Sequence, residues 1–122
     1  MFEDTIFAPI KIGPRTSENR IMINAMECND ADKDGNPTDK TYRRYENLFE
    51  GGAGMIDFEA ITVTEESRSR KMQLSVMPKN LKALETFTRK MKEVNDKPLF
   101  VWQLTHAGEL SNPDFSRRVC VK

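Results

Sequence analysis

The chain has 122 residues, enough for one domain with a modest core, and its 38% hydrophobic and 31% charged residues are ordinary for a soluble globular protein. Nineteen basic residues balance nineteen acidic ones, which argues against nucleic acid and anionic membrane surfaces as partners. No apolar run approaches the ~20 residues of a membrane span, and residues 1–6 lack the basic start and apolar centre of a secretory leader, so a cytoplasmic location is expected. Cys28 and Cys120 fit neither a disulfide framework nor a metal-binding spacing and read as reduced thiols.

In chain order, residues 6–12 alternate loosely, Gly13-Pro14 signals a turn, and an apolar run opens at Ile21, which predicts a short hairpin leading into a first strand over 20–26. Residues 27–37 are too rich in turn formers to be anything but a loop. Thr38 or Asp39 then caps a helix whose inner face carries Tyr42, Tyr45, Leu48 and Phe49, with Gly51 as its stop. Gly51-Gly52-Ala53-Gly54 turns directly into the apolar run 55–63, a strand without clean alternation and therefore one covered on both faces, as in a parallel sheet.

Residues 64–77 read as a long polar and basic loop, with Arg68, Arg70 and Lys71 forming a solvated charge run. A second helix is predicted over 78–95, with Leu81, Leu84, Phe87, Met91 and Val94 along one stripe. Lys97-Pro98 ends it, residues 99–104 form a third buried strand, and polar loop fills 109–122. The order is hairpin, strand, helix, strand, helix, strand, with nothing to cover the last strand. The strand spacing suits a (β/α)8 barrel, which typically needs about 250 residues, so the chain reads as unfinished. Ile56, Phe58, Val101 and Leu104 are then expected to meet solvent.

Five segments are specific enough to name a family: Ala8-Pro9-Ile10-Lys11-Ile12-Gly13-Pro14, Asn19-Arg20-Ile21, Gly35-Asn36-Pro37-Thr38, the Gly51–Ile56 segment with Glu59-Ala60, and Gln103-Leu104-Thr105-His106-Ala107-Gly108. Together, and in this order, they resemble the N-terminal part of the Old Yellow Enzyme family, nearest the bacterial NADH:flavin oxidoreductase and dienoyl-coenzyme A reductase branch. The resemblance covers almost all of residues 1–122 as one part of an FMN-binding TIM barrel, to which the chain would supply the hairpin and about the first three strands.

It implies hydride transfer from NAD(P)H through FMN to an activated C=C bond, as in ene-reductases. It also implies a small-molecule substrate, an oligomeric protein, and a 4Fe-4S cluster and FAD as open additions in a longer parent chain. By the same resemblance Asn24, Ala25, Met26 and Glu27 would line the flavin, Ala60 would sit against its ring, Gln103 would bond its pyrimidine edge, and Asn29 would be the nearest residue to a substrate-binding position. Gln103 suits that edge because its amide offers a donor and an acceptor together.

Some residues depart from the pattern. Ala25 stands where a proline is common, and Glu27 where a threonine, cysteine or histidine is common near flavin N5 and O4. A carboxylate there opposes the charge of reduced flavin unless it is protonated or turned away. Cys28 falls one position late for a flavin-facing cysteine, Glu109 replaces a frequent arginine, and His106 reads as a residue satisfying loop backbone rather than a catalytic one. The resemblance places the catalytic acid and the FMN-phosphate groups on later strands, outside this chain. The other reading is a non-catalytic α/β module that associates through its bare sheet edge, with another copy or with the rest of a barrel.

Overall fold

The computed structural model describes residues 2–119. A short helix α1 (Phe2–Ile6) precedes an antiparallel hairpin of β1 (Ile10–Ile12) and β2 (Arg15–Ser17). There follow β3 (Met22–Ile23), α2 (Asp39–Glu50), β4 (Met55–Thr62), α3 (Leu81–Val94) and β5 (Leu99–Thr105). Strands β3, β4 and β5 form a parallel sheet in that spatial order, each joined to the next through a helix. Sequential parallel strands with crossover helices are what the alternation of strand and helix patterns predicts.

The core lies between one face of this sheet and the two longer helices. Tyr45 and Phe49 of α2, Ile56, Phe58 and Ile61 of β4, and Leu84, Phe87 and Met91 of α3 are buried there, with Phe100 and Trp102 of β5 packed against them. Phe58 stacks on Tyr45 with centroids 4.8 Å apart and lies 4.5 Å from Trp102. Aromatic rings in offset or edge contact add stabilisation beyond their buried area, and truncating a buried Phe typically costs about 3–5 kcal/mol. The expected exposure of Ile56 and Phe58 is thus overturned, because both face the helices. Val101 and Leu104 are exposed as expected, Leu104 to 62%. Val101 alternates with Phe100 and Trp102 and so lies on the face away from the helices, together with Gln103.

Three other expectations change. The first strand pairs over only Met22 and Ile23 rather than 20–26. Side chains take over the backbone donors on either side of it: Asn19 Oδ1 accepts the N–H of Ile21 at 3.0 Å, and Glu59 Oε2 accepts that of Cys28 at 3.3 Å. In the second helix only Leu84, Phe87 and Met91 of the stripe are buried, while Leu81 and Val94 lie at its ends and are exposed. The helix α2 stop is displaced by one residue, since Gly51 keeps right-handed geometry and Gly52 takes the left-handed φ of 76° that a Cβ would penalise.

Residues 64–77 are ordered, not a free loop. Thr62 N–H donates to Leu74 O and Val76 N–H to Thr62 O, both at 2.9 Å, and Gln73, Leu74 and Ser75 are fully buried. The hairpin is fixed to the start of β4 by Asn19, whose Oδ1 accepts the Gly54 N–H at 2.8 Å and whose Nδ2 donates to Gly52 O at 2.9 Å. Cys120 lies outside the described residues.

Candidate functional site

The three parallel strands end on the same side of the molecule, and the segments leaving them define the candidate site. After β3 the exposure alternates: Asn24 and Met26 are exposed, Met26 to 72%, whereas Ala25 and Glu27 are half-buried. At the end of β4 a bulge between Phe58 and Ile61 inserts one residue, and Ile61 pairs with Leu104 beyond it. Glu59 and Ala60 together therefore stand opposite the single residue Gln103. The Ala60 carbonyl accepts from Gln73 Nε2 at 3.1 Å, which ties the strand end to the segment behind it.

The bulge also carries Glu59 to the helix side, where its side chain is 1% exposed and forms an ion pair with Arg44. Arg44 holds Asp30 as well, with Nε to Oδ2 and Nη2 to Oδ1 both at 3.0 Å. Tyr45 donates its hydroxyl to Glu59 Oε1 at 3.4 Å and accepts the Glu59 N–H at 3.0 Å. Burial pushes the Glu59 carboxyl up and Arg44 opposes that shift, while burial pushes the Tyr45 hydroxyl well up and keeps it a donor. Through the Cys28 N–H, this network fixes the backbone that follows Met26 and Glu27.

Sequence reasoning missed Arg44, Asp30 and Gln73. The readable signal was Glu59 itself, a charge inside an apolar run, which demands a buried cation and donors.

Glu27 is turned toward the segment after β4, where Arg70 Nε lies 3.1 Å from its Oε1. Burial raises its carboxyl above the usual range, Arg70 opposes this, and Glu59 adds to it. Of the neighbouring charges, Arg70 and Lys71 are exposed as expected, but Arg68 is buried, with Nη1 donating to Lys33 O at 3.1 Å and Nη2 to Ser75 Oγ at 3.3 Å, so it clamps two loops. Asn29 adopts a φ of 53°, and its Oδ1 accepts the Met72 N–H at 2.7 Å, so its carbonyl is engaged in holding the loop. His106 Nδ1 accepts the Gly108 N–H at 3.1 Å. Desolvation pushes the thiol of the exposed Cys28 up, and Arg44 opposes that shift.

The strand ends combine small side chains, an apolar surface and free amides. Ala25 and Ala60 leave room, Met26 offers an uncovered apolar surface, and the amides of Asn24 and Gln103 make no hydrogen bond among the described residues.

Residues 5–119 match the model of the NADH:flavin oxidoreductase / NADH oxidase family, and the chain belongs to that family. Comparison with curated proteins gives no significant match. Among solved structures, it superposes on a 2-naphthoyl-CoA reductase in complex with 2-naphthoyl-CoA with a TM-score of 0.81 at 20% identity, covering 89% of this chain and 16% of that one. The old yellow enzyme from Trypanosoma cruzi matches with a TM-score of 0.75 at 22% identity, over 94% of this chain and 30% of the other. Morphinone reductase in complex with tetrahydroNAD gives a TM-score of 0.70 at 22% identity, over 89% and 30%. The shared fold is thus that of one segment of these enzymes, and the chain spans a third or less of their length.

Proposed function

We propose that this chain forms the first wall of an FMN site in a (β/α)8 barrel that passes a hydride from NAD(P)H, through flavin, to an activated C=C bond. The observation that carries the reading is that Ala60 and Gln103 lie at adjacent strand ends, within the bulge between the Phe58–Trp102 and Ile61–Leu104 pairs. A small side chain there leaves room for a ring, and beside it stands an amide with no partner among the described residues. Barrel chemistry sits at the C-terminal strand ends. Gln103 would hold the pyrimidine edge, Ala60 and Met26 would pack on the ring, and Asn24, Ala25 and Glu27 would complete the wall. FMN supplies a two-electron acceptor whose reduced form carries added negative charge.

Family membership supports the reading, as do neighbours named as reductases, one of them in complex with tetrahydroNAD. The test is purification of a complete barrel carrying this segment with the absorbance spectrum recorded, followed by anaerobic NADH and NADPH. A yellow protein whose flavin absorbance bleaches on addition supports it, and a colourless protein that takes up no added FMN contradicts it. A non-catalytic association module is the second reading. The exposed Val101 and Leu104 favour it, and it predicts a colourless, stable oligomer from the same purification.

A further inference from the structure

Glu27 and Arg70 form one charge pair that joins the segment after β3 to the segment after β4. The Glu27 side chain is 17% exposed, and its Oε1 is shut off from solvent without a well-aligned hydrogen bond. Arg70 is 56% exposed and meets no other carboxylate at ion-pair distance among the described residues. The groups facing Glu27 are Arg70 and the Ser69 hydroxyl from the segment after β4, and Glu59 from β4 itself. Arg44 is already bound to Glu59 and Asp30. Arg70 is therefore the cation that compensates Glu27, and both lie where the wall of the proposed flavin site begins.

Resting on the flavin reading above, we propose that Arg70 is a positioning residue that neutralises and orients Glu27, so that a carboxylate can stand in the flavin wall without opposing the charge that reduction brings. An unpaired carboxylate beside a group that becomes anionic repels it, most strongly where water is excluded, and a paired one presents only a dipole. This resolves the departure seen at Glu27, since the acid is accompanied by its own base from the next loop. Glu27 is held by Arg70 and its neighbours, and Arg70 acts only through Glu27.

The test compares the flavin midpoint potential across pH in a complete barrel carrying this segment, as wild type, Arg70→Gln, Arg70→Lys, Glu27→Gln and the double variant. Arg70→Gln should shift the potential down, Glu27→Gln should shift it up, the double variant should match Glu27→Gln because Arg70 then has nothing to act through, and Arg70→Lys should recover most of the loss. The break in the potential-versus-pH curve that marks Glu27 should move to higher pH in Arg70→Gln, because the cation that favours its ionised form is gone, and should vanish in Glu27→Gln.

A second readout needs no flavin. The carboxyl carbon signal of Glu27 in the flavin-free protein should titrate at higher pH in Arg70→Gln. Unshifted potentials in both single variants with flavin bound, or an unshifted Glu27 titration, would overturn the proposal. A wild type that binds no FMN while its Glu27 titration does respond to Arg70→Gln would overturn the flavin reading and leave the pair intact.

Discussion

Arg44 reaches across from α2 to Glu59 at the end of β4, a residue 15 positions later in the chain, and the same guanidinium holds Asp30 of the preceding loop. A single side chain thereby locks a helix, a loop and the C-terminal end of a strand into one arrangement. The buried carboxylate is tolerable only because that cation and two further donors meet it.

Replacing Arg44 by Met should cost on the order of 3 kcal/mol, since it leaves a buried carboxylate without its cation. The loss should depend on pH. Burial already raises the Glu59 pKa above its unfolded value, so its contribution is fully present below that unfolded value and is lost as pH rises through the folded one. Removing Arg44 raises the folded value further. Urea unfolding should therefore show a larger deficit for Arg44→Met at pH 8 than at pH 5, and equal deficits would contradict the assignment.

Gly54 lies where the hairpin meets β4. A Cβ there would fall on Ser17 Oγ and within 2.6 Å of the Asn19 carbonyl oxygen, and backbone at that distance has no room to yield. Gly54→Ala should destabilise the protein by roughly 1–3 kcal/mol, as overpacking commonly does. A thermal melt indistinguishable from wild type would show that the hairpin moves aside without cost.

The alternation of strand and helix, the faces of α2 and α3, and the three parallel strands were legible because apolar spacing reports directly on what is buried. Tyr45, Phe49, Leu84, Phe87 and Met91 are all core residues. The ordering of residues 64–77 was not legible, because it comes from partners distant in sequence: Arg68 donates to the carbonyl of Lys33, and Asn29 accepts from Met72. Polar residues that satisfy backbone in another loop carry no periodicity. Exposure of Ile56 and Phe58 was misjudged for a related reason, since periodicity identifies a buried strand without saying which of its faces the helices cover. At the site, the ends of β4 and β5 were legible from the apolar runs, whereas the early end of β3 at Ile23 and the pairing of Glu27 with Arg70 depend on side chains and loops placed in space.

The 122-residue chain by itself exposes Val101, Leu104 and Met26 at the sheet edge and at the strand ends. Unpaired strand edges with apolar side chains associate readily. Sedimentation of the purified chain should show self-association that grows with concentration, accompanied by weak or no FMN retention. A monomer at all concentrations that binds FMN at micromolar affinity would contradict this.

The central claim is that the ends of β3, β4 and β5 form one wall of a flavin site, with Gln103 reading the ring's edge. Fluorescence titration of FMN into a flavin-free complete barrel carrying this segment, and into its Gln103→Ala variant, tests it most directly. Losing a donor and an acceptor together should weaken binding by about 1–3 kcal/mol, roughly five- to 150-fold in Kd, with the fold unchanged. An unchanged Kd would place the ring elsewhere and contradict the account.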